Sequence, residues 1–494
     1  MKRFLGVALI ASLLAFSPLG SLSFGADDTK HPNVVVMMVD NLGWGELGVY
    51  GGGELRGAAT PRLDKLASEG MRLLNFNVEP QCTPSRSAFM TGRHPIRSGT
   101  TKVVWGMLYG LTNWEITIAE LMSSQGYATG MFGKWHLGDV HGRFPTDQGF
   151  DEWYGIANTT DESEYSSQFQ YDPNVGTKPV IQESTNPHKK HYHAHKQTIT
   201  EVLESSYGKK PKTVKKYNVD ARRKIDAELT KRAIKFMEKN VKAKKPFFAF
   251  VPFTQPHLPT LPHPDFEGKT GNGNYADVMA EIDHRTGQIL DAIDKLKIRK
   301  NTVVIWLSDN GPEYFYPWHG TAGPWRGNYF TAWEGSLRVP FLIRWPEKIP
   351  AGSVSNEIVH LVDLLPTLGQ IAGYKKPNDR IVDGVEQLDF FTGKQKKSNR
   401  EGFIVYNGDD IFAYKWRNWK MHLVYLENMN SVPQKLNVPR AYNLITDPKE
   451  EYNMAAEATW VLPVMFKKIV AFQKTLAQEP PISLGTPDPY RPHE

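Results

Sequence analysis

Two aspartate–asparagine pairs each follow a short apolar run. Asp40-Asn41 comes after Val34 to Val39, and Asp309-Asn310-Gly311 comes after Val303 to Leu307. If both runs are parallel strands, both pairs project from the carboxyl edge of one sheet, where ligands usually bind. Four oxygen-bearing side chains meeting there suit a hard cation, calcium or magnesium. Taken singly, each pair also fits an ordinary turn. The one cysteine of the chain, Cys82, opens the run Cys82-Thr83-Pro84-Ser85-Arg86. Thr83 and Pro84 favour a helix start, which sets Cys82 beside free N–H groups at the positive helix end. Arg86, one turn in, brings a cation back towards it. A buried structural thiol is the competing reading, and the polar neighbours of Cys82 speak against it.

Cys82-Thr83-Pro84-Ser85-Arg86, followed by Thr91-Gly92-Arg93, resembles the sulfatase signature Cys-x-Pro-Ser-Arg. The resemblance extends over nearly the whole chain. It takes in Pro32-Asn33, Thr60-Pro61-Arg62-Leu63-Asp64, Gly133-Lys134-Trp135-His136-Leu137-Gly138 and Gln255-Pro256-His257-Leu258-Pro259. It continues through Ser308-Asp309-Asn310-Gly311-Pro312, Trp333-Glu334-Gly335, Arg338-Val339-Pro340, and Tyr442-Asn443-Leu444 with Asp447-Pro448. The arylsulfatase-like branch fits best.

The resemblance implies an alkaline-phosphatase-like α/β sandwich and hydrolysis of a sulfate monoester, from an aryl sulfate or a sulfated carbohydrate. It implies that a separate maturation enzyme oxidises Cys82 to formylglycine, whose hydrate is the nucleophile. Asp40, Asn41, Asp309 and Asn310, with the Cys82 derivative, would then hold calcium, or magnesium. Asp309 would help deprotonate the attacking hydroxyl, and Arg86 would hold the hydrate. Lys134 would neutralise the sulfate oxygens, and His257 would protonate the leaving alcohol. The second hydroxyl of the hydrate would expel sulfate, with His136 assisting. Two positions depart from the family pattern. Asn41 stands where many relatives carry a second aspartate. Tyr329 stands where relatives usually have a lysine that contacts sulfate; Arg326 is the candidate replacement cation. Two other functions stay open: a phosphate or phosphonate ester hydrolase of the same fold, and a catalytically silent sulfatase-like binding protein.

Alternating elements are expected to position these groups. Asn33 to Val39 reads as a buried parallel strand. Thr60-Pro61 opens a helix closed by Gly70. A helix from about Asn113 to Gln125 leads to a strand from Tyr127 to Phe132. Ala227 to Asn240 is helical and Pro246 to Val251 is a strand. Val278, Ile282, Ile289, Ile293 and Leu296 mark one face of a long helix, and strands follow at Val303–Leu307 and Phe341–Trp345. This alternation predicts a large, mostly parallel sheet covered on both faces. Residues 158–222 are polar with weak periodicity and read as a surface excursion. Its His188, His191, His193 and His195 are flanked by lysines, so a solvated basic loop is favoured over a metal tract. Short strands at Phe403–Tyr406, Ile411–Lys415 and Trp419–Tyr425, then a last helix, predict a small α+β C-terminal domain. The expected division is 1–26 leader, 27–395 catalytic domain, 396–494 C-terminal domain.

With 494 residues and 40% hydrophobic side chains, the chain affords a sizeable core. The net charge of +6 is spread along the sequence and gives no case for nucleic acid. Lys2 and Arg3, then the apolar stretch Phe4 to Phe16 and small residues near Gly25, are the layout of a secretory signal peptide. The expected location is therefore periplasmic or secreted, with no membrane span after cleavage. One cysteine allows no internal disulfide. The expected partners are a sulfated small molecule or glycan and a formylglycine-generating enzyme.

Overall fold

The computed structural model describes residues 31–103, 110–165, 180–181, 193–194, 201–315 and 319–492. The signal segment and, apart from the backbone of His193–Ala194, the histidine-rich tract lie outside them. The catalytic part is one large sheet. Its strands are β1 (Asn33–Asp40), β2 (Met71–Asn77), β3 (Ala128–Lys134), β4 (Glu152–Ile156), β5 (Glu201–Ser206), β6 (Lys212–Lys216), β7 (Phe247–Pro256), β8 (Thr302–Ser308), β9 (Arg338–Arg344), β10 (Ser353–Ser355) and β11 (Val359–His360). Their order is β10-β2-β9-β8-β1-β7-β3-β4-β5-β6, with β11 also on β2. The central run β8-β1-β7-β3-β4 is parallel, and β9 lies antiparallel between β8 and β2.

β1 shows why an unbroken apolar run belongs at the centre. Val34, Val36 and Met38 enter one core, Val35, Met37 and Val39 the other, and all six are fully buried. Helices α1 (Pro61–Ser68), α4 (Val219–Lys242) and α5 (Asn274–Lys295) cover the second face; α2 (Cys82–Thr91), α3 (Ile118–Ser124) and α6 (Leu364–Ala372) cover the first. Burying each such side chain contributes roughly 1.5–3 kcal/mol.

Three boundaries differ from the sequence expectation. The helix expected from Asn113 begins at Ile118, because Thr117 and Glu120 form a capping box there. The helix expected from Ala227 begins eight residues earlier, at Val219, where the Asn218 side chain accepts from the Ala221 N–H. Residues 201–216, expected within a loop, add two antiparallel strands to the sheet edge, with Val202 and Leu203 buried against it.

The C-terminal domain is an antiparallel sheet of β12 (Gly402–Asn407), β13 (Asp410–Trp416), β14 (Trp419–Tyr425) and β15 (Gln434–Asn443), packed by α7 (Val461–Gln478). The fourth strand was not expected. A buried charge cluster ties this sheet to the catalytic part. Lys415 Nζ donates to Asn75 (2.8 Å), Asn77 (2.9 Å) and Glu334 (2.6 Å), while Lys420 bridges Glu334 and Glu450. Among the described residues no helix is long and apolar enough to cross a membrane.

Candidate active site

Sheet register brings the two aspartates together. Val39 of β1 lies opposite Ser308 of β8, so the chain leaves both strands side by side at Asp40 and Asp309. Asn41 then takes a left-handed turn (φ 62°), and its backbone N–H donates to Asp309 Oδ1 at 3.0 Å. Asn310 Nδ2 donates to Asn41 Oδ1, while Asn310 Oδ1 is buried with no hydrogen bond. Asp40, Asn41, Asp309 and Asn310 thus form a buried set of oxygen donors. A buried carbonyl oxygen without a partner is costly unless something binds it. The donor set therefore fits a hard cation.

α2 delivers the nucleophile position. Cys82 is its first residue and is fully buried. Its Sγ lies 3.4 Å from Asn41 Oδ1, 3.7 Å from Asp40 Oδ1 and 3.2 Å from the Tyr329 hydroxyl. Burial pushes the thiol pKa well above its ordinary value; Lys134 opposes this, and Asp309 and Asp40 add to it. As a thiol, Cys82 is protonated and a poor nucleophile. One turn on, Arg86 donates to Asp309 Oδ2 through Nε (3.0 Å) and Nη2 (2.8 Å), and to the Lys134 carbonyl through Nη1 (2.7 Å).

β3 supplies the second cation. Lys134 Nζ donates to Asp40 Oδ2 at 2.7 Å, with neither side chain exposed. Burial favours the neutral amine, but the acidic groups around it, Asp40 foremost, together outweigh burial and hold the ammonium pKa above its ordinary value. Gly133 lets this strand end approach β7: its φ is 149°, and a Cβ there would stand 1.8 Å from the Pro252 carbonyl oxygen. Two residues after Lys134, His136 turns left-handed (φ 62°), and its carbonyl accepts from Thr83 Oγ1 beside Cys82 at 2.9 Å.

His257 follows β7. Its Nδ1 lies 2.7 Å from Thr160 Oγ1 and 2.8 Å from the Leu258 carbonyl. Its Nε2 lies 3.3 Å from Thr159 Oγ1 and 3.4 Å from Glu313 Oε1. Ligand-type atoms of His257, Asp40 and Cys82 all fall within 4.8 Å of one another. Burial, then Lys134, lowers the imidazole pKa to about 3. Burial raises the Glu313 carboxyl to about 8. At neutral pH a neutral imidazole therefore faces a largely protonated acid.

Of the sequence-derived residues, Asp40, Asn41, Cys82, Arg86, Lys134, Asp309, Asn310 and Tyr329 meet directly, His257 faces them, and the His136 backbone is tied in. Arg326 is not brought to Cys82. Its guanidinium stacks on Trp333 (4.1 Å to the ring centroid) and donates to Glu427 (2.8 Å), Tyr425 (3.2 Å) and the Glu450 carbonyl (3.3 Å), all but Trp333 in the C-terminal domain. Those contacts correct the expectation that it replaces the missing lysine; four residues of chain did not translate into a shared direction. Thr159, Thr160 and Glu313 were not foreseen. No motif marks them, although Glu313 follows Ser308–Pro312 directly.

Comparison with known proteins identifies the family. The sulfatase family profile matches residues 32–374, and one described as N-sulphoglucosamine sulphohydrolase, C-terminal, matches residues 328–461. The chain is similar to N-acetylgalactosamine-6-sulfatase of Mus musculus, 33% identical over 83% of this chain and 75% of that protein. In structure it is similar to the PsFucS1 sulfatase from Pseudoalteromonas sp., with a TM-score of 0.84, 30% identity and 93% of each chain covered. It is also similar to Ps i-CgsB, solved in complex with k-i-k-neocarrahexaose, with a TM-score of 0.74, 25% identity, and 90% of this chain and 92% of that one covered.

Proposed function

Because the chain belongs to the sulfatase family and is a sulfuric ester hydrolase, we propose that it removes sulfate from a sulfated carbohydrate, using formylglycine made from Cys82 and a divalent cation. The observation that carries the mechanism is the setting of Cys82, a buried, unreactive thiol at a helix start, between an oxygen donor set and two buried cations. The carbohydrate assignment rests on the sugar sulfatase and the neocarrahexaose-bound protein among its relatives. Residues 27–395 would carry the reaction and 396–494 the C-terminal domain. Export to the periplasm or beyond would follow from the leader.

With formylglycine at position 82 and calcium held by Asp40, Asn41, Asp309 and Asn310, the site would have a hydrated aldehyde as nucleophile and a Lewis acid. The remaining roles belong to the chain. Lys134 and Arg86, fixed by Asp40 and Asp309, present positive charge to the sulfate oxygens without reorganising. Asp309 accepts the proton from the attacking hydroxyl. The Tyr329 hydroxyl orients the nucleophile. With Nδ1–H held by Thr160 and the Leu258 carbonyl, His257 Nε2 is an acceptor in the resting site. Glu313, protonated near neutrality, gives Nε2 the proton that Nε2 then passes to the leaving oxygen. His136 assists sulfate release.

Peptide mass spectrometry of the Cys82 segment, from protein matured in its source, tests the first half of this reading. The mass loss of a thiol becoming an aldehyde is expected, followed by turnover of sulfated sugars in preference to phosphorylated ones. An unmodified thiol in active native protein sinks the formylglycine mechanism; full conversion with no turnover of any sulfate ester sinks the enzymatic one.

A further inference from the structure

A second group of metal-ligating side chains lies away from the Asp40–Asp309 site. Glu79 sits in the turn between β2 and α2. His94 follows α2, and His360 ends β11. All three are buried, with His360 fully so. Glu79 Oε1 is 2.9 Å from His94 Nδ1 and 3.8 Å from His360 Nε2, and the three atoms lie within 4.8 Å of one another. His360 Nε2 makes no hydrogen bond of good geometry. A buried imidazole nitrogen that faces a carboxylate in this way is costly unless something binds it.

We propose that Glu79 Oε1, His94 Nδ1 and His360 Nε2 bind one zinc ion. Two ligands of a tetrahedral zinc at about 2.0–2.1 Å stand roughly 3.3 Å apart, and the two measured separations bracket that value. Two imidazoles and one carboxylate select zinc over calcium, which takes six to eight oxygens. The surrounding charges do not oppose a cation outright. Arg400 is engaged by Asp363, Arg97 by Asp383 and Lys415 by Glu334. Binding moves each ring proton to the other nitrogen of its imidazole. For His360 this gives up the long 3.3 Å contact from the Val362 N–H. The shell is closed by the C-terminal domain: Phe403 of β12 lies 4.7 Å from the His360 ring and Phe472 of α7 lies 5.7 Å from the His94 ring. Zinc here is structural. It ties the turn that carries Cys82, three residues after Glu79, to the segment after α2 and to the end of β11.

The test uses the full chain, stripped with chelator, reloaded with calcium and then given zinc alone. A crystal of the zinc-treated protein, measured at the zinc absorption edge, should show an anomalous peak among Glu79, His94 and His360. A peak only beside Asp40 and Cys82, or none, overturns the proposal, whatever the sulfatase activity. In solution, zinc should raise the unfolding temperature of the wild type. His360→Gln should lose that rise and bind one zinc fewer per chain; an equal rise in the variant also overturns it.

Discussion

Lys134→Met removes one charge from the centre of the site while keeping most of the apolar stem. In the wild type, Asp40 has two cationic neighbours: Lys134 Nζ at 2.7 Å and Arg86 Nη2 at 3.5 Å. Arg86 is already committed to Asp309 through two bonds. The variant therefore leaves a fully buried carboxylate with one distant, shared partner. Breaking a buried pair in this way costs about 3–5 kcal/mol. The cost falls on the cation-free protein, because a divalent ion bound by Asp40 and Asp309 replaces the lost charge. Linkage then requires that the ion bind more tightly: about 3 kcal/mol corresponds to roughly a hundred-fold in Kd. Turnover should move the other way, down by about 100-fold or more, since positive charge at the sulfate oxygens is lost. Calorimetric calcium titration and thermal unfolding with and without chelator read the first effect, and hydrolysis of a sulfate ester reads the second. Weaker calcium binding in the variant, or unchanged stability without calcium, would refute the charge balance drawn for Asp40.

Three further substitutions probe separate parts of the molecule. Glu281 is buried and its carboxyl pKa is raised to about 7 by burial. A folded pKa above the unfolded value means stability is greatest below about 4.5 and declines as pH rises towards 7, here by up to about 3 kcal/mol. Urea unfolding at pH 5 and 7.5 should show Glu281→Gln gaining on the wild type as pH rises; a parallel dependence contradicts the shift. Lys415→Met takes one of three cations from Glu334, which keeps Lys420 and Arg338, and leaves two asparagines in the domain seam without their donor, so it should cost about 1–3 kcal/mol in denaturant unfolding, with the C-terminal sheet cleaved faster by protease; unaltered unfolding would mean the cluster is not a clasp. Tyr329→Phe deletes the hydroxyl 3.2 Å from Cys82 Sγ and should slow turnover about tenfold, one hydrogen bond's worth, without a shift in melting temperature; full activity would remove Tyr329 from the site.

The sheet was legible because its central strands are buried on both faces, so β1, β7 and β8 appear as unbroken apolar runs in the sequence. Much of the candidate site was legible for a related reason: the residues proposed as metal ligands and nucleophile sit at the ends of those runs or inside short motifs. The edge hairpin was not. β6 is Lys-Thr-Val-Lys-Lys and mostly exposed, a composition that strand and loop share. Helix starts failed where the apolar period was followed instead of the cap, at Thr117 and Asn218. Arg326 failed because chain proximity to Tyr329 says nothing about direction; Gly327 intervenes with a positive φ of 84°. His257's partners come from segments about a hundred residues upstream and fifty-six downstream, Thr159–Thr160 and Glu313, and no local pattern announces such a meeting.

The burial of Cys82 also fixes a timetable. A side chain with no exposed surface, at the root of a helix packed into the core, is out of reach of another enzyme's active site once the chain has folded. An enzyme that must grip the residues around Cys82 meets them extended only while the chain is nascent or held open by a chaperone. Under the proposed formylglycine mechanism, maturation and folding would compete for the same segment. A chain that folded first would keep its thiol, so the yield of active molecules would be set by a race between two rates before the first substrate arrives.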